Sequence, residues 1–146
     1  MKIFILALTI FCSIISTNGL LQKSLKLELS NIKQGSGLVL ISLYDNPDQF
    51  PYEPYKVVEL DKSEITSTIH TIEVEGLDND QLYAITLLDD ENRNKDMDFN
   101  IVGIPKEGYG FSNNAKPRFL TAPSFSDCAF QLRDSNFQIS IKMKYW

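Results

Sequence analysis

The feature of this sequence that most constrains its fold is an alternation of apolar and polar residues with a period of two. Apolar residues occupy every second position from Phe137 to Tyr145, and Leu25, Leu27 and Leu29 alternate with polar residues in the same way. Because successive side chains of a strand point to opposite faces, this pattern is typical of β-strands with one buried face. No stretch of comparable length shows the 3.6-residue period of an amphipathic helix.

Other short apolar runs predict further strands. Residues 38–44 and 81–88 are apolar at most positions, as expected for strands buried on both faces. Residues 55–60 follow a proline-rich loop and are expected to form a short edge strand, because proline cannot donate to a sheet ladder. Residues 61–64 are predicted to be a solvated break.

The turn residues between these runs predict how the strands are connected. Residues 31–37 contain two glycines and are expected to close a hairpin between the first two strands. A second hairpin is predicted between residues 129–132 and 137–145. About seven short strands separated by turns predict an all-β fold, namely an antiparallel β-sandwich with a long ordered loop at one end.

The first nineteen residues have the organisation of a signal peptide. Lys2 precedes an uncharged apolar run over residues 3–15, and small residues follow up to Gly19. The run is shorter than the ~20 residues that a membrane-spanning helix needs. The sequence therefore predicts a signal peptide at 1–19 and a single β-sandwich domain at 20–146, periplasmic or secreted and without a membrane span after cleavage.

The charge and the reactive residues exclude several classes of function. Loss of Lys2 with the signal peptide changes the formal charge from −5 to −6, which disfavours nucleic acid as a partner. One histidine, His70, and one cysteine in the predicted mature chain, Cys128, do not make up a catalytic set. We therefore predict no catalytic residues and no enzyme activity, and a carboxylate-dependent hydrolase is the weakest alternative.

A calcium site is predicted in the acidic segment that follows residue 89. Side-chain oxygens recur there at every second position: Asp90, Asn92, Asn94, Asp96 and Asp98. Calcium takes six to eight oxygen ligands, which a loop can supply by wrapping around one point, and we expect a weak site with a Kd of ~10⁻⁴–10⁻³ M. The alternative is a solvated loop whose Asp and Asn side chains cap their own backbone.

A glycine- and aromatic-rich segment follows the acidic one and predicts a ligand groove. Its candidate residues for contact with a sugar or a peptide are Tyr109, Phe111, Asn113 and Phe119. The alternative is that these rings form a small satellite core under the loop. Gly108 and Gly110 are expected to permit backbone twists that a Cβ would oppose, and Asn113–Asn114 to tolerate the left-handed region.

The chain also resembles a known family in several stretches: Gly76-Leu with Tyr83-Ala-Ile, Asp89-Asp-Glu-Asn-Arg-Asn, Gly103-Ile-Pro-Lys-Glu-Gly-Tyr-Gly-Phe-Ser-Asn-Asn-Ala and Pro123-Ser-Phe-Ser-Asp-Cys-Ala-Phe130. These closely resemble DUF2141, a family of bacterial exported proteins of uncharacterised function. The resemblance implies an immunoglobulin-like or prealbumin-like sandwich and supplies no activity. Family members typically carry glycine at two positions of the acidic loop, where this chain has Arg93 and Lys95.

The sequence thus predicts an exported binding or accessory module, with a weak calcium site in the acidic loop as a further hypothesis. Its expected partners are a glycan, a peptide or an envelope protein. A structural envelope protein whose loop docks a protein partner remains the alternative.

Overall fold

Eight β-strands build two sheets in the computed structural model, which describes residues 23–118, 121–133 and 136–146. The strands are β1 Lys23–Ser30, β2 Leu38–Tyr44, β3 Lys56–Asp61, β4 Ile69–Leu77, β5 Leu82–Asp90, β6 Gly108–Phe111, β7 Phe130–Gln131 and β8 Asn136–Lys142. The helical elements are single turns: α1 Phe125–Cys128 and 3₁₀ turns at Lys62–Glu64 and Ser112–Asn114. The predicted signal peptide and Phe119 lie outside the described residues.

The two sheets pack into the predicted all-β sandwich. One sheet has the order β4-β1-β8, and the other has the order β3-β2-β5-β6, with β7 paired to β5. Leucines of β1 meet Val39, Ile41 and Leu87 of the larger sheet in one buried core. The period-two prediction for β1 is confirmed, since Leu25, Leu27 and Leu29 are fully buried. The predicted edge strand is also confirmed, as β3 at the edge of the larger sheet.

Both predicted hairpins are wrong. β1 pairs with β4 and β8, whereas β2 pairs with β3 and β5, so residues 31–37 carry the chain from one sheet to the other. β7 pairs with β5, and β8 runs parallel to β1, the one parallel pair among the described strands. The alternation of apolar and polar residues indicates which face of a strand is buried. The turn residues do not indicate the next strand, because the same residue types occur in a hairpin and in a connection between two sheets packed ~10 Å apart.

The predicted long loop, which follows residue 88, is shorter than expected because β5 extends into its start and β6 lies within it. β5 extends to Asp90, and β6 pairs with residues 86–89 of β5. β6 has only four residues, two of them glycine, so it has no recognisable strand pattern. Among the described residues, no helix is long and apolar enough to cross a bilayer.

Candidate functional site

A groove lies on the outer face of the five-stranded sheet. In β2, Val39, Ile41 and Leu43 point into the core, so Leu40 and Ser42 project from the opposite face and form part of the groove floor. β5 and β6 continue this floor, which is therefore a surface of side chains.

Three irregular segments form the walls of the groove. They contribute Pro51, Tyr52 and Pro54 on one side, Met97, Phe99 and Pro105 from the loop after β5, and Pro117, Thr121 and Ala122 from the segment after β6. Trp146 also lines it. The cavity volume is about 860 Å³, which lies within the ~300–1,000 Å³ of small-ligand sites.

Large apolar side chains in this groove are exposed to solvent. The exposed fraction is 86% for Tyr52, 69% for Trp146 and 54% for Phe99. The rings of Tyr109 and Phe111 lie beside each other in the floor, with centroids 5.8 Å apart. Exposed apolar residues scattered singly need no explanation, but a concentration in one concave surface is typical of a binding site.

The predicted groove residues divide between the groove and its support. Tyr109 and Phe111 line the groove, and Phe111 also packs against a second apolar cluster that contains Tyr44 and Cys128. Asn113 does not line it: its side-chain amide donates to the backbone carbonyls of Asp127 and Ala129 at 3.2 and 2.9 Å. Phe119 lies outside the described residues.

Sequence reasoning missed Tyr44, Tyr52, Phe99 and Trp146 as groove residues. They come from four separate parts of the chain, and no local spacing connects them. The proline-rich loop carried one available signal, because Tyr52 lies between Pro51 and Pro54 in a segment that cannot be a central strand.

The two asparagines after β6 act as structural crosslinks. Both have the predicted left-handed conformation, with φ of 58° at Asn113 and 50° at Asn114. The Asn114 side chain donates to the carbonyl of Ser140 at 3.0 Å and accepts from the N–H of Lys142 at 2.9 Å. The Asn114 amide thus forms the two hydrogen bonds that a backbone peptide group of a neighbouring strand would form with the edge of β8. Because Asn114 follows β6 of the larger sheet, these bonds join the two sheets.

Gly108 and Gly110 are required because a side chain at either position would collide with neighbouring residues, and not because of the predicted backbone twist. Neither is among the glycines with positive φ. A Cβ at Gly108 would lie 2.6 Å from Cζ of Tyr145, and one at Gly110 would lie 2.9 Å from Cγ2 of Ile141. The Gly-Tyr-Gly run therefore lets β6 pack closely against the C-terminal segment.

A buried ion pair lies at the end of β5. The Asp89 carboxylate is fully buried; it accepts from Lys62 Nζ at 2.7 Å and from the Tyr145 hydroxyl at 2.7 Å. Burial and then the neighbouring Asp89 raise the pKa of Tyr145 well above its usual range. The predicted break at 61–64 is present as a turn with exposed Ser63 and Glu64, but the prediction of a solvated segment is wrong at Lys62, which is only 5% exposed. A buried charge needs such a partner.

Asp90 holds the acidic loop closed through the loop backbone. Its buried carboxylate accepts the N–H groups of Asn94 and Lys95 at 3.1 and 3.0 Å. Arg93 and Lys95 have φ of 63° and 66°, so both residues adopt the left-handed region that glycine reaches without strain. Their side chains form ion pairs of 2.6 Å with Asp61 and Glu59 of β3.

Two further residues of the predicted calcium site also bond the loop backbone, whereas Asp96 is exposed and lines the groove. Asn92 Oδ1 accepts from the N–H of Asn94 at 2.9 Å, and Asn94 Oδ1 accepts from the N–H of Asp96 at 2.8 Å. The Asn92 amide donates to Asp98 Oδ2 at 2.6 Å. In the described part of the chain, no three His, Cys, Asp or Glu side chains form a group that could hold a metal ion.

This arrangement does not fit a calcium ion, because Asp90 and both asparagines bond the loop itself instead of surrounding a common centre. The geometry thus gives the predicted calcium site no support, and calcium binding itself stays a prediction.

Glu107 clamps the two ends of the acidic loop. Its carboxylate is buried and accepts from the N–H of Glu91 at 3.1 Å and from the N–H of Asp98 at 3.2 Å. Burial raises the pKa of Glu107, and these two hydrogen bonds oppose the shift. The clamp fixes where the segment that carries Phe99 leaves the loop.

Cys128 has the environment of a structural thiol. It is fully buried, and burial raises its pKa to about 12. The thiolate, which is the reactive form, is therefore almost absent at neutral pH.

Comparison with known proteins identifies a family but no activity. The family described as "Uncharacterized protein conserved in bacteria (DUF2141)" matches residues 27–140. No curated protein and no solved structure matches the chain. The matched region contains the acidic loop, β6 and α1, together with nearly all of both sheets. The chain thus belongs to DUF2141, an uncharacterised family conserved in bacteria.

Proposed function

We propose that this protein is an exported β-sandwich binding module whose ligand occupies the groove on the five-stranded sheet. One observation carries the proposal: Tyr52, Phe99 and Trp146 are more than half exposed around a cavity of about 860 Å³. Burial of apolar surface contributes a free energy of about 25 cal/mol per Å², which these side chains do not gain while they are exposed to water. A ligand that covers them recovers that free energy.

The charges in the groove restrict the ligand. Lys95 and Glu59 both line it and neutralise each other in an ion pair of 2.6 Å. Among the described residues that line the groove, Asp96 is the remaining charged one. A strongly charged ligand would find little to compensate its charge, so we expect an uncharged or weakly basic glycan or peptide.

A second candidate function is a structural envelope protein whose loop docks a protein partner. The observation that favours it is the end of the loop after β5, where Ile101 is fully exposed and Val102 is 62% exposed. The carboxylate-dependent hydrolase receives less support, because Glu59 in the groove is held in its ion pair with Lys95. The acidic-loop calcium site is no part of either proposal.

Arrays of neutral glycans and of short peptides, probed with the purified protein, test the binding function. We expect one class to bind, and we expect Tyr52→Ser with Phe99→Ser to weaken that binding at least tenfold. The matched control is Ile69→Ser, an isoleucine of β4 with 55% exposure in the other sheet. No binding to either array, or equal loss in the control, would contradict the proposal.

Export is tested separately, by fractionation of a bacterial host that expresses the full chain. We expect the protein outside the cytoplasm with Leu20 as its first residue, because the predicted cleavage follows Gly19. Recovery of the intact chain from the cytoplasm would contradict this part of the proposal.

A further inference from the structure

We infer that the ligand of the groove is an extended apolar segment of another protein, and that the turn at 100–104, called here the hairpin tip, belongs to the same docking face. This inference rests on the proposed binding function and names its partner class. Four observations carry it: the geometry of the floor, the state of the polar lining residues, the charge, and the order of the hairpin tip.

The floor of the groove is a face of the sheet and not an edge. Leu40, Ser42 and Tyr44 of β2 line it with Thr86 of β5 and Tyr109 of β6, so a ligand meets side chains there. Strand addition, which uses unpaired backbone groups at an edge, does not apply. An aromatic-lined surface of this kind suits an extended polyproline-type segment, which carries no internal hydrogen bonds and keeps its backbone solvated.

Four polar side chains of the groove already have partners within the protein. The Tyr44 hydroxyl donates to the carbonyl of Pro51 at 2.8 Å, and Lys95 is paired with Glu59. Thr121 donates to the carbonyl of Arg118.

This state of the polar lining disfavours a sugar. A bound sugar would bury several hydroxyl groups, and each buried hydroxyl without a partner is costly. An apolar segment has no such side-chain groups to satisfy, so the groove suits a peptide better than a glycan.

The charge of the lining sets the charge of the segment. With Lys95 and Glu59 paired, Asp96 leaves the lining with a charge of −1. Charge complementarity therefore favours a segment with no acidic residue and one Lys or Arg.

The hairpin tip presents apolar side chains in a fixed conformation. The Asn100 side chain accepts the N–H groups of Val102 and Ile104 at 3.0 and 2.9 Å. The Asn100 N–H donates to the carbonyl of Ile104 at 2.9 Å, and Gly103 closes the turn with a φ of 81°.

The backbone that carries Ile101 and Val102 is therefore ordered before binding, so that binding costs less backbone conformational entropy. Phe99, which lines the groove, pairs with Pro105 across the base of this turn. Two aliphatic side chains add little to the recognition of a sugar, whereas a protein partner can cover them while its segment fills the groove.

A phage-displayed library of random 20-residue peptides, selected on the full purified protein, provides the probe. We expect enrichment of sequences rich in proline and aliphatic residues with one basic residue. A synthetic copy of the enriched peptide should bind at least tenfold more weakly to Tyr52→Ser with Phe99→Ser. It should bind about fivefold more weakly to Ile101→Ser with Val102→Ser, and within twofold of the parent to Ile69→Ser.

The outcomes separate this inference from the proposed function. All substituted side chains are exposed, so each variant should keep the parent thermal transition, which is measured in parallel. Binding of a neutral glycan that is lost in the groove variant would overturn the peptide inference and leave the binding function standing. Enriched peptides that bind the groove variant as tightly as the parent would overturn the inference, and no ligand of either class would overturn both.

Discussion

The acidic loop and the groove beside it differ in what their side chains contact. In the acidic loop, Asp90, Asn92 and Asn94 bond backbone amides of the loop itself. In the groove, Tyr52 and Phe99 are exposed to water on walls of ordered backbone. The loop has the more recognisable sequence motif, but its chemistry is satisfied internally. The groove has no motif, but it has surface that a partner can cover.

The same contrast exists inside the loop after β5. Its first half is polar and closed by Asp90 and Glu107, and its second half ends in the apolar hairpin tip. The polar side chains hold the loop backbone in its conformation, and this backbone exposes the apolar side chains of the hairpin tip to solvent. The following substitutions and titration test this division, from the largest expected effect to the smallest.

Substitution of Lys62 by Ala should have the largest effect on stability. It leaves the fully buried Asp89 carboxylate without its cation, and removal of one partner of a buried pair typically costs about 3–5 kcal/mol. We expect a fall in Tm of roughly 10–20 °C by differential scanning calorimetry. Lys26→Ala, which removes an exposed lysine of β1, is the control. Equal shifts in the two variants would show that the pair does not stabilise the fold.

Substitution of Asp90 by Ala should have an intermediate effect. The change leaves the N–H of Lys95 without its acceptor and the N–H of Asn94 with Asn92 Oδ1 alone, and should cost about 1–3 kcal/mol in urea unfolding. Asp96→Ala removes an exposed carboxylate from the same loop and should stay within about 0.5 kcal/mol. A loss from Asp96 as large as that from Asp90 would contradict a loop closed by Asp90.

Calcium should have the smallest effect. Because the loop oxygens bond the loop's own amides, we expect 2 mM calcium to raise Tm by less than about 1 °C relative to a chelator. A site with a Kd of ~0.1 mM would add about 1.8 kcal/mol at ~2 mM calcium, a rise of a few degrees. Such a rise, if abolished by Asp90→Ala with Asp98→Ala, would establish the calcium site. It would contradict the statement that the polar groups of the acidic loop are satisfied within the loop.

The sequence predicted those features of the fold that depend on local chemistry. Alternation at Leu25–Leu29 indicated a one-sided strand, and Asn113–Asn114 indicated left-handed backbone; both are confirmed. Strand pairing was missed, because residues 31–37 do not encode which sheet the chain enters next. The burial of Lys62 was also missed, since its partner Asp89 lies 27 residues away and Lys62 itself lies in a polar run.

The candidate site was predictable only in part, for a related reason. Tyr109 and Phe111 were found because a glycine-rich segment marks them, and both line the groove. Tyr52 and Phe99 meet them only through the tertiary fold. Asn113 was misassigned because a side-chain amide serves a ligand and a backbone carbonyl equally well, and only its neighbours decide between them.

The two ion pairs from the acidic loop to β3 also bear on self-association. β3 is the edge strand of the larger sheet, and unprotected edges recruit strands from other molecules. Arg93 and Lys95 anchor the loop to Asp61 and Glu59 of that strand and so place four charged groups beside it. Arg93 and Lys95 thereby make β3 a poor template for intermolecular sheet growth.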